Sequence, residues 1–197
     1  MSKTEKVFDF YKESRDKYNP GVPIWLNETA EAACGGDPLA STYADVFRYL
    51  EQLGRLAKMG VQSVMHNTLA RSEYALLDHD THNPRPNYWA ALLWNKLMGN
   101  QVYEGGSLEA GVDVFVHNLK DNSKGKTILI LNTNEKPTSV TIPAAAKQYL
   151  LTANELLTKK VMLNGIELNM MPNGELPAIK GKNVKKGSLV LPPPTSA

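Results

Sequence analysis

The sequence predicts an α/β segment followed by an all-β segment, with the change near Asn100. Two observations carry this. Before residue 100, apolar residues alternate between helical spacing and short unbroken runs; after it, short β-rich runs separated by turn residues take over. The 197 residues are 42% hydrophobic and 21% charged, which is enough for a normal core.

Residues 3–18 read as a helix, with Val7, Phe8 and Tyr11 at helical spacing, ended by Asn19-Pro20-Gly21. Residues 22–28 form a nearly continuous apolar strand, as expected where both faces of a parallel sheet are covered. Ser41 is the expected N-cap of a second helix, in which Tyr43, Val46, Phe47, Leu50, Leu53, Leu56 and Ala57 recur every three or four residues up to Met59-Gly60. A second strand covers residues 61–68, and after a polar loop with Asn83-Pro84-Arg85-Pro86 a third helix over 88–97 is closed by Gly99. These are two βα units behind a helix, a slice of a larger α/β sheet without a closed core of its own.

Beyond residue 100, strands are expected at 112–117, 127–131, 138–142 and 147–152. A hairpin follows at 161–168, turned by Asn164-Gly165, and Pro192-Pro193-Pro194 breaks any strand at the end. Strands this short and closely spaced suggest a sandwich.

Composition excludes several functions. The 22 basic and 20 acidic residues leave a net charge of +2, with no basic cluster interleaved with aromatics, so no nucleic-acid partner is expected. Cys34 is the only cysteine, which rules out an intrachain disulfide and a thiolate metal cluster. No secretory leader and no run of about 20 apolar residues is visible. Asp78, His79, Asp80 and His82 invite a metal reading, but consecutive loop residues rarely converge on one ion, and a solvated loop is expected.

The run Ile24-Trp25-Leu26-Asn27-Glu28-Thr29 precedes Gly35-Gly36. A strand that fixes a carboxylate at its C-terminal end, followed by a glycine-rich loop that leaves room for substrate, is how parallel α/β barrels present catalytic acids. Glu28 is therefore the first catalytic candidate. The sequon Asn27-Glu28-Thr29 is read as coincidence, since a glycan there would block the cleft.

Trp25 to Thr29, Gly35-Gly36, Tyr49-Leu50 with Leu53-Gly54, Met59-Gly60, Tyr74 to Asp78, Pro86 to Trp89 and Leu92 to Gly99 stand in the order and spacing of one family. From about Val22 onward the chain resembles the heparanase-like glycoside hydrolases of family 79. Val161 to Gly165, Leu176-Pro177 and Leu191-Pro192 continue the resemblance into that family's β-sandwich.

The resemblance implies a retaining hydrolase of β-linked glucuronic acid. Its fold would be the last units of a TIM (β/α)8 barrel over residues 1–100 and a β-sandwich over 101–197 that lacks its last strand. A barrel alone takes roughly 250 residues, so a fragment is expected, cut at both ends. Glu28 matches the family's nucleophile, and the acid/base lies on a strand upstream of Met1. Asn27 stands where the family commonly has glycine, and in related barrels an Asn-Glu pair marks the acid/base instead; Gly35-Gly36 and residues 50–68 fit the nucleophile neighbourhood.

Tyr74 with its adjacent backbone amides is implied to hold the uronic carboxylate, with Glu73 as a further substrate-binding candidate and Arg71 expected to be solvated. His66 and Asn67, at the end of the second strand, are candidates for hydrogen bonds to sugar hydroxyls or for orienting Glu28; His66 has the alternative of a histidine satisfied by backbone. Glu31 is expected to be solvated, and Trp89 and Trp94 to pack in the core rather than stack on sugars. No metal or cofactor is required by the retaining mechanism.

The expected partner is a uronic-acid-containing glycan or glucuronide, with a complementing N-terminal barrel chain for the exposed apolar faces of the slice. Family members are often secreted, lysosomal or membrane-associated, which leaves the compartment open. The alternative to an enzyme is a non-catalytic carbohydrate-binding or interaction protein derived from one.

Overall fold

A computed structural model describes residues 3–32, 36–37, 39–106 and 108–194; Cys34 and Gly35 therefore lie outside the described residues. The order of elements is α1 (Lys3–Tyr18), β1 (Trp25–Thr29), α2 (Tyr43–Lys58), β2 (Ser63–His66), α3 (Pro86–Leu97), and then ten strands. The strands are β3 (Met98–Tyr103), β4 (Val112–Leu119), β5 (Asn122–Asn132), β6 (Thr138–Ile142), β7 (Ala146–Gln148), β8 (Leu151–Thr152), β9 (Met162–Leu163), β10 (Ile166–Glu167), β11 (Lys182–Val184) and β12 (Gly187–Leu191), counting the first as β3. Mixed helix and strand thus gives way to strands alone after α3.

β1 and β2 pair in parallel, Trp25 beside Ser63 and Leu26 beside Val64, with α2 as the crossover that parallel pairing requires. Val64 packs against the buried core. On the opposite face Trp25 is 59% and Met65 41% exposed. The β-rich part is antiparallel throughout, as β3-β4-β5, β8-β9-β10 and the pairs β6-β12 and β7-β11.

α2 is the central element. Its Tyr43, Val46, Tyr49, Leu50 and Leu53 share one buried cluster with Trp89 and Ala90 of α3, Phe115 of β4, Leu131 of β5 and Leu163 of β9, so residues from both sides of position 100 enclose the same core. Gly54 makes this approach feasible. A Cβ there would sit 2.4 Å from Cγ of Phe115, so only hydrogen at this position lets the β4 ring lie on the helix. The first free N–H groups of α2 are satisfied by the β-rich part, Tyr43 N–H donating to Thr158 O at 2.9 Å and Ala44 N–H to Leu156 O at 2.8 Å.

Several local expectations are corrected. Thr42, not Ser41, occupies the N-cap of α2, and no side chain caps it. Ser41 takes φ 54° and turns its hydroxyl to Ala75 O at 3.0 Å. α3 starts two residues earlier than expected because Pro86 is pre-organised for a first helical turn. Gly99 does not close it: Met98 is already extended and the chain runs directly into β3. The expected strand at 147–152 is two strands, β7 and β8. Gly60, with φ 85°, ends α2 as expected, and Asn164 and Gly165, with φ 52° and 83°, make the hairpin turn.

Candidate functional site

The parallel register brings the C-terminal ends of β1 and β2 together, with Thr29 beside His66. Asn67 N–H donates to Thr29 O at 2.9 Å, continuing the pairing one residue past β2. From there the Asn67 side-chain amide donates to Oε1 of Glu28 at 2.6 Å. The Glu28 carboxylate is exposed at the sheet end. A hydrogen bond from a neutral donor gives this exposed carboxylate a direction.

Behind the sheet end, Thr29 Oγ1 donates to Gln52 Oε1 at 3.0 Å, and Arg48 Nη1 approaches the same oxygen at 3.4 Å. Arg48 Nε also pairs with Asp45, which is 3% exposed and accepts from the side-chain amide of the fully buried Asn87. This chain of polar groups ties β1 to α2 and α3.

The ring of His66 is turned inward. Its Nε2 is 2.8 Å from Tyr74 O, which can only accept, so Nε2 carries the proton; the ring meets Tyr49 edge-on with centroids 5.5 Å apart. Burial pushes its pKa below the ordinary imidazole value, the Tyr74 carbonyl and the Asp45 charge opposing this. Nδ1 is buried without a partner among the described residues. This geometry corresponds to the backbone-satisfied alternative for His66.

Tyr74 is 8% exposed, and its hydroxyl has no hydrogen-bond partner among the described residues. Glu73, its neighbour, is exposed and reaches over Gly36, where a Cβ would lie 2.1 Å from the Glu73 carboxylate. Gly36 is therefore the floor that the Glu73 side chain occupies. Arg71 is exposed, with φ 71°.

Two residues differ from a solvated-loop reading. Glu31 has a buried Oε2 without a partner among the described residues, and burial, with the charges of Asp37 and Asp45, pushes its pKa up. Asp78 accepts from Thr81 N–H at 3.0 Å and Thr81 Oγ1 at 2.9 Å and pairs with Arg85 Nη2 at 3.2 Å; these donors, Thr81 first, hold its carboxyl well below the usual carboxylate range. Asp78 organises its loop from within. Among the described residues no group of three or more His, Cys, Asp or Glu could hold a metal ion. Trp89 is buried and Trp94 meets His117 edge-on at 5.3 Å, whereas Trp25 is open to solvent.

Arg85 went unnoticed in the sequence. Lying between two prolines it reads as a loop cation, yet it is 7% exposed and its guanidinium serves Ser72 O, Glu73 O and Asp78. No described helix is long and apolar enough to cross a membrane.

No protein-family model matches the chain. It is 33% identical to heparanase of Bos taurus over 199 residues, covering 92% of this chain and 36% of that protein. It is 33% identical to baicalin-beta-D-glucuronidase of Scutellaria baicalensis over 187 residues, covering 89% of this chain and 35% of that protein. Inactive heparanase-2 of Homo sapiens is 29% identical over 205 residues, covering 90% of this chain and 35% of that protein. The chain thus spans about a third of the length of these relatives, and by sequence it resembles the heparanase-like glycoside hydrolases of family 79 over most of its own length.

Proposed function

We propose that this chain is part of a retaining glycoside hydrolase that cleaves β-linked glucuronic acid in a glycan or glucuronide, with Glu28 as nucleophile. The observation that carries the reading is the Glu28 carboxylate at the end of β1, held by Asn67 from the neighbouring parallel strand. In that chemistry Glu28 attacks the anomeric carbon while a second carboxyl group about 5 Å away protonates the departing oxygen, and the C–O bond breaks as the glycosyl ester forms. Water then opens the ester with the second group as base. Residues 1–100 act as units of a (β/α)8 barrel and residues 101–197 as part of a β-sandwich. The acid/base is supplied by the rest of the barrel, and turnover needs that complementing partner. The exposed Trp25 and Met65 on the uncovered face of β1 and β2 support such a partner.

Tyr74 and the amides of its loop, Glu73 included, bind the uronic carboxylate. Asn67 orients Glu28, and His66 holds the loop through the Tyr74 carbonyl. A second reading, a non-catalytic carbohydrate-binding protein derived from such an enzyme, is favoured by one observation: a relative named inactive heparanase-2 matches 90% of the chain.

The discriminating experiment is Glu28→Gln in the complemented enzyme. The amide is nearly isosteric but cannot form the glycosyl ester, so release of 4-nitrophenol from its β-glucuronide stops while glucuronide binding persists. Unchanged turnover in the variant refutes the nucleophile. Full binding without turnover in both forms favours the second reading.

A further inference from the structure

Arg85 is nearly buried, and its contacts all lie on one loop. Nη1 donates to Ser72 O at 3.0 Å and also to Glu73 O, while Nη2 pairs with Asp78 at 3.2 Å. Its Nε is buried without a partner among the described residues. Taking a guanidinium out of water is costly and is repaid only where its donors are matched. Here Nη1 serves two consecutive carbonyls while Nη2 holds Asp78, a spread of acceptors that a planar fork of donors serves together and a lysine ammonium serves less well.

The consequence lies on the other edge of those peptides. A trans peptide is planar, with C=O and N–H pointing in opposite directions. Drawing the carbonyls of Ser72 and Glu73 toward Arg85 therefore turns the N–H groups of Glu73 and Tyr74 away from it. Neither N–H has a hydrogen bond among the described residues, whereas the next, Ala75 N–H, closes the turn on Ser72 O at 3.2 Å. The following carbonyl, Tyr74 O, is held by His66, so three successive carbonyls are fixed. The Glu73 carboxylate is drawn aside against Gly36.

We propose that Arg85 is a positioning residue for acidic-sugar recognition: by holding the Ser72 and Glu73 carbonyls it presents the Glu73 and Tyr74 amides as a paired donor for a carboxylate. Asp78 keeps the guanidinium in place. The proposal rests on the glucuronide reading for the identity of the ligand, while the amide pair and its dependence on Arg85 are testable with any small carboxylate.

The experiment is backbone-amide NMR on the full 197-residue chain, titrated separately with methyl β-D-glucuronide, methyl β-D-glucoside and acetate. The glucuronide is expected to move the Glu73 and Tyr74 amide resonances and the glucoside to leave them in place. Arg85→Leu weakens this response at least tenfold with α2 resonances unchanged, and Arg85→Lys recovers part of it. If Arg85→Leu does not fold, Asp78→Asn, which leaves the guanidinium loosened, carries the test and weakens the response less. Acetate acting on the two amides in an Arg85-dependent way, with no effect of glucuronide, upholds the amide pair and removes the sugar reading. Glucuronide binding that leaves these amides unmoved, an equal response in the variants, or no response to either anion overturns the proposal.

Discussion

The side-chain amide of Asn67 donates to Oε1 of Glu28 at 2.6 Å, so the carboxylate at the end of one parallel strand is aimed by a residue just past the end of the next. A hydrogen bond to a charged group is worth about 1.5–3 kcal/mol. Asn67→Ala is expected to lower kcat/KM of the complemented enzyme by about 10- to 100-fold. Asn67→Asp places two carboxylates in contact, raises the pKa of the pair and moves the acid limb of the kcat/KM profile upward. Steady-state rates on 4-nitrophenyl β-D-glucuronide across pH check both.

Tyr74 selects the acidic sugar in this account. Tyr74→Phe should lower kcat/KM for a β-glucuronide by about 1–3 kcal/mol, the range for losing one buried partner, with a much smaller change for the β-glucoside. Equal losses on the two substrates mean that the ring supports the loop by packing alone.

His66 makes stability depend on pH. Its pKa is lower in the folded chain than the ordinary value near 6.5, so the unfolded state takes up protons first as pH falls. Stability is therefore full above about pH 6.5 and declines below it until the folded pKa is reached. His66→Gln, which retains a donor for Tyr74 O, should flatten this decline. Urea midpoints of both forms between pH 5 and 8 measure the difference.

Gly54 is a packing requirement rather than a weak point of α2. On an open helix surface, alanine would gain about 1 kcal/mol over glycine. Against Phe115 the added methyl has no room, and overpacking typically costs about 1–3 kcal/mol. Gly54→Ala should thus lower the denaturation midpoint, and Gly54→Ala combined with Phe115→Leu should recover part of the loss.

The β1-α2-β2 unit was legible because its apolar runs and the three-to-four spacing of α2 reflect burial directly, and Gly60 and Asn164-Gly165 need positive φ whatever surrounds them. β3 was not legible. Gly99, Asn100 and Gln101 have little strand preference of their own; β4 pairs on either side of them, at Met98 and at Val102, and its His117 and Asn118 side chains hold Gly99 O and Gln101 N–H. The burial of Arg85 and of Glu31 was not legible for a related reason: the groups that surround them are set by tertiary contacts, such as carbonyls 12 and 13 residues back for Arg85. The Glu28 position could be read from a strand ending in a carboxylate, but its contact with Asn67 depends on a register that no local pattern specifies.

The most direct test of the account is to trap the glycosyl ester. The complemented enzyme is treated with a 2-fluoro-glucuronyl inactivator, which slows breakdown of the covalent intermediate, then digested and mapped by mass spectrometry. The account predicts one added fluoroglucuronyl group, on Glu28, with no label in Glu28→Gln. A label on any other carboxylate, with Glu28→Gln still active, contradicts it.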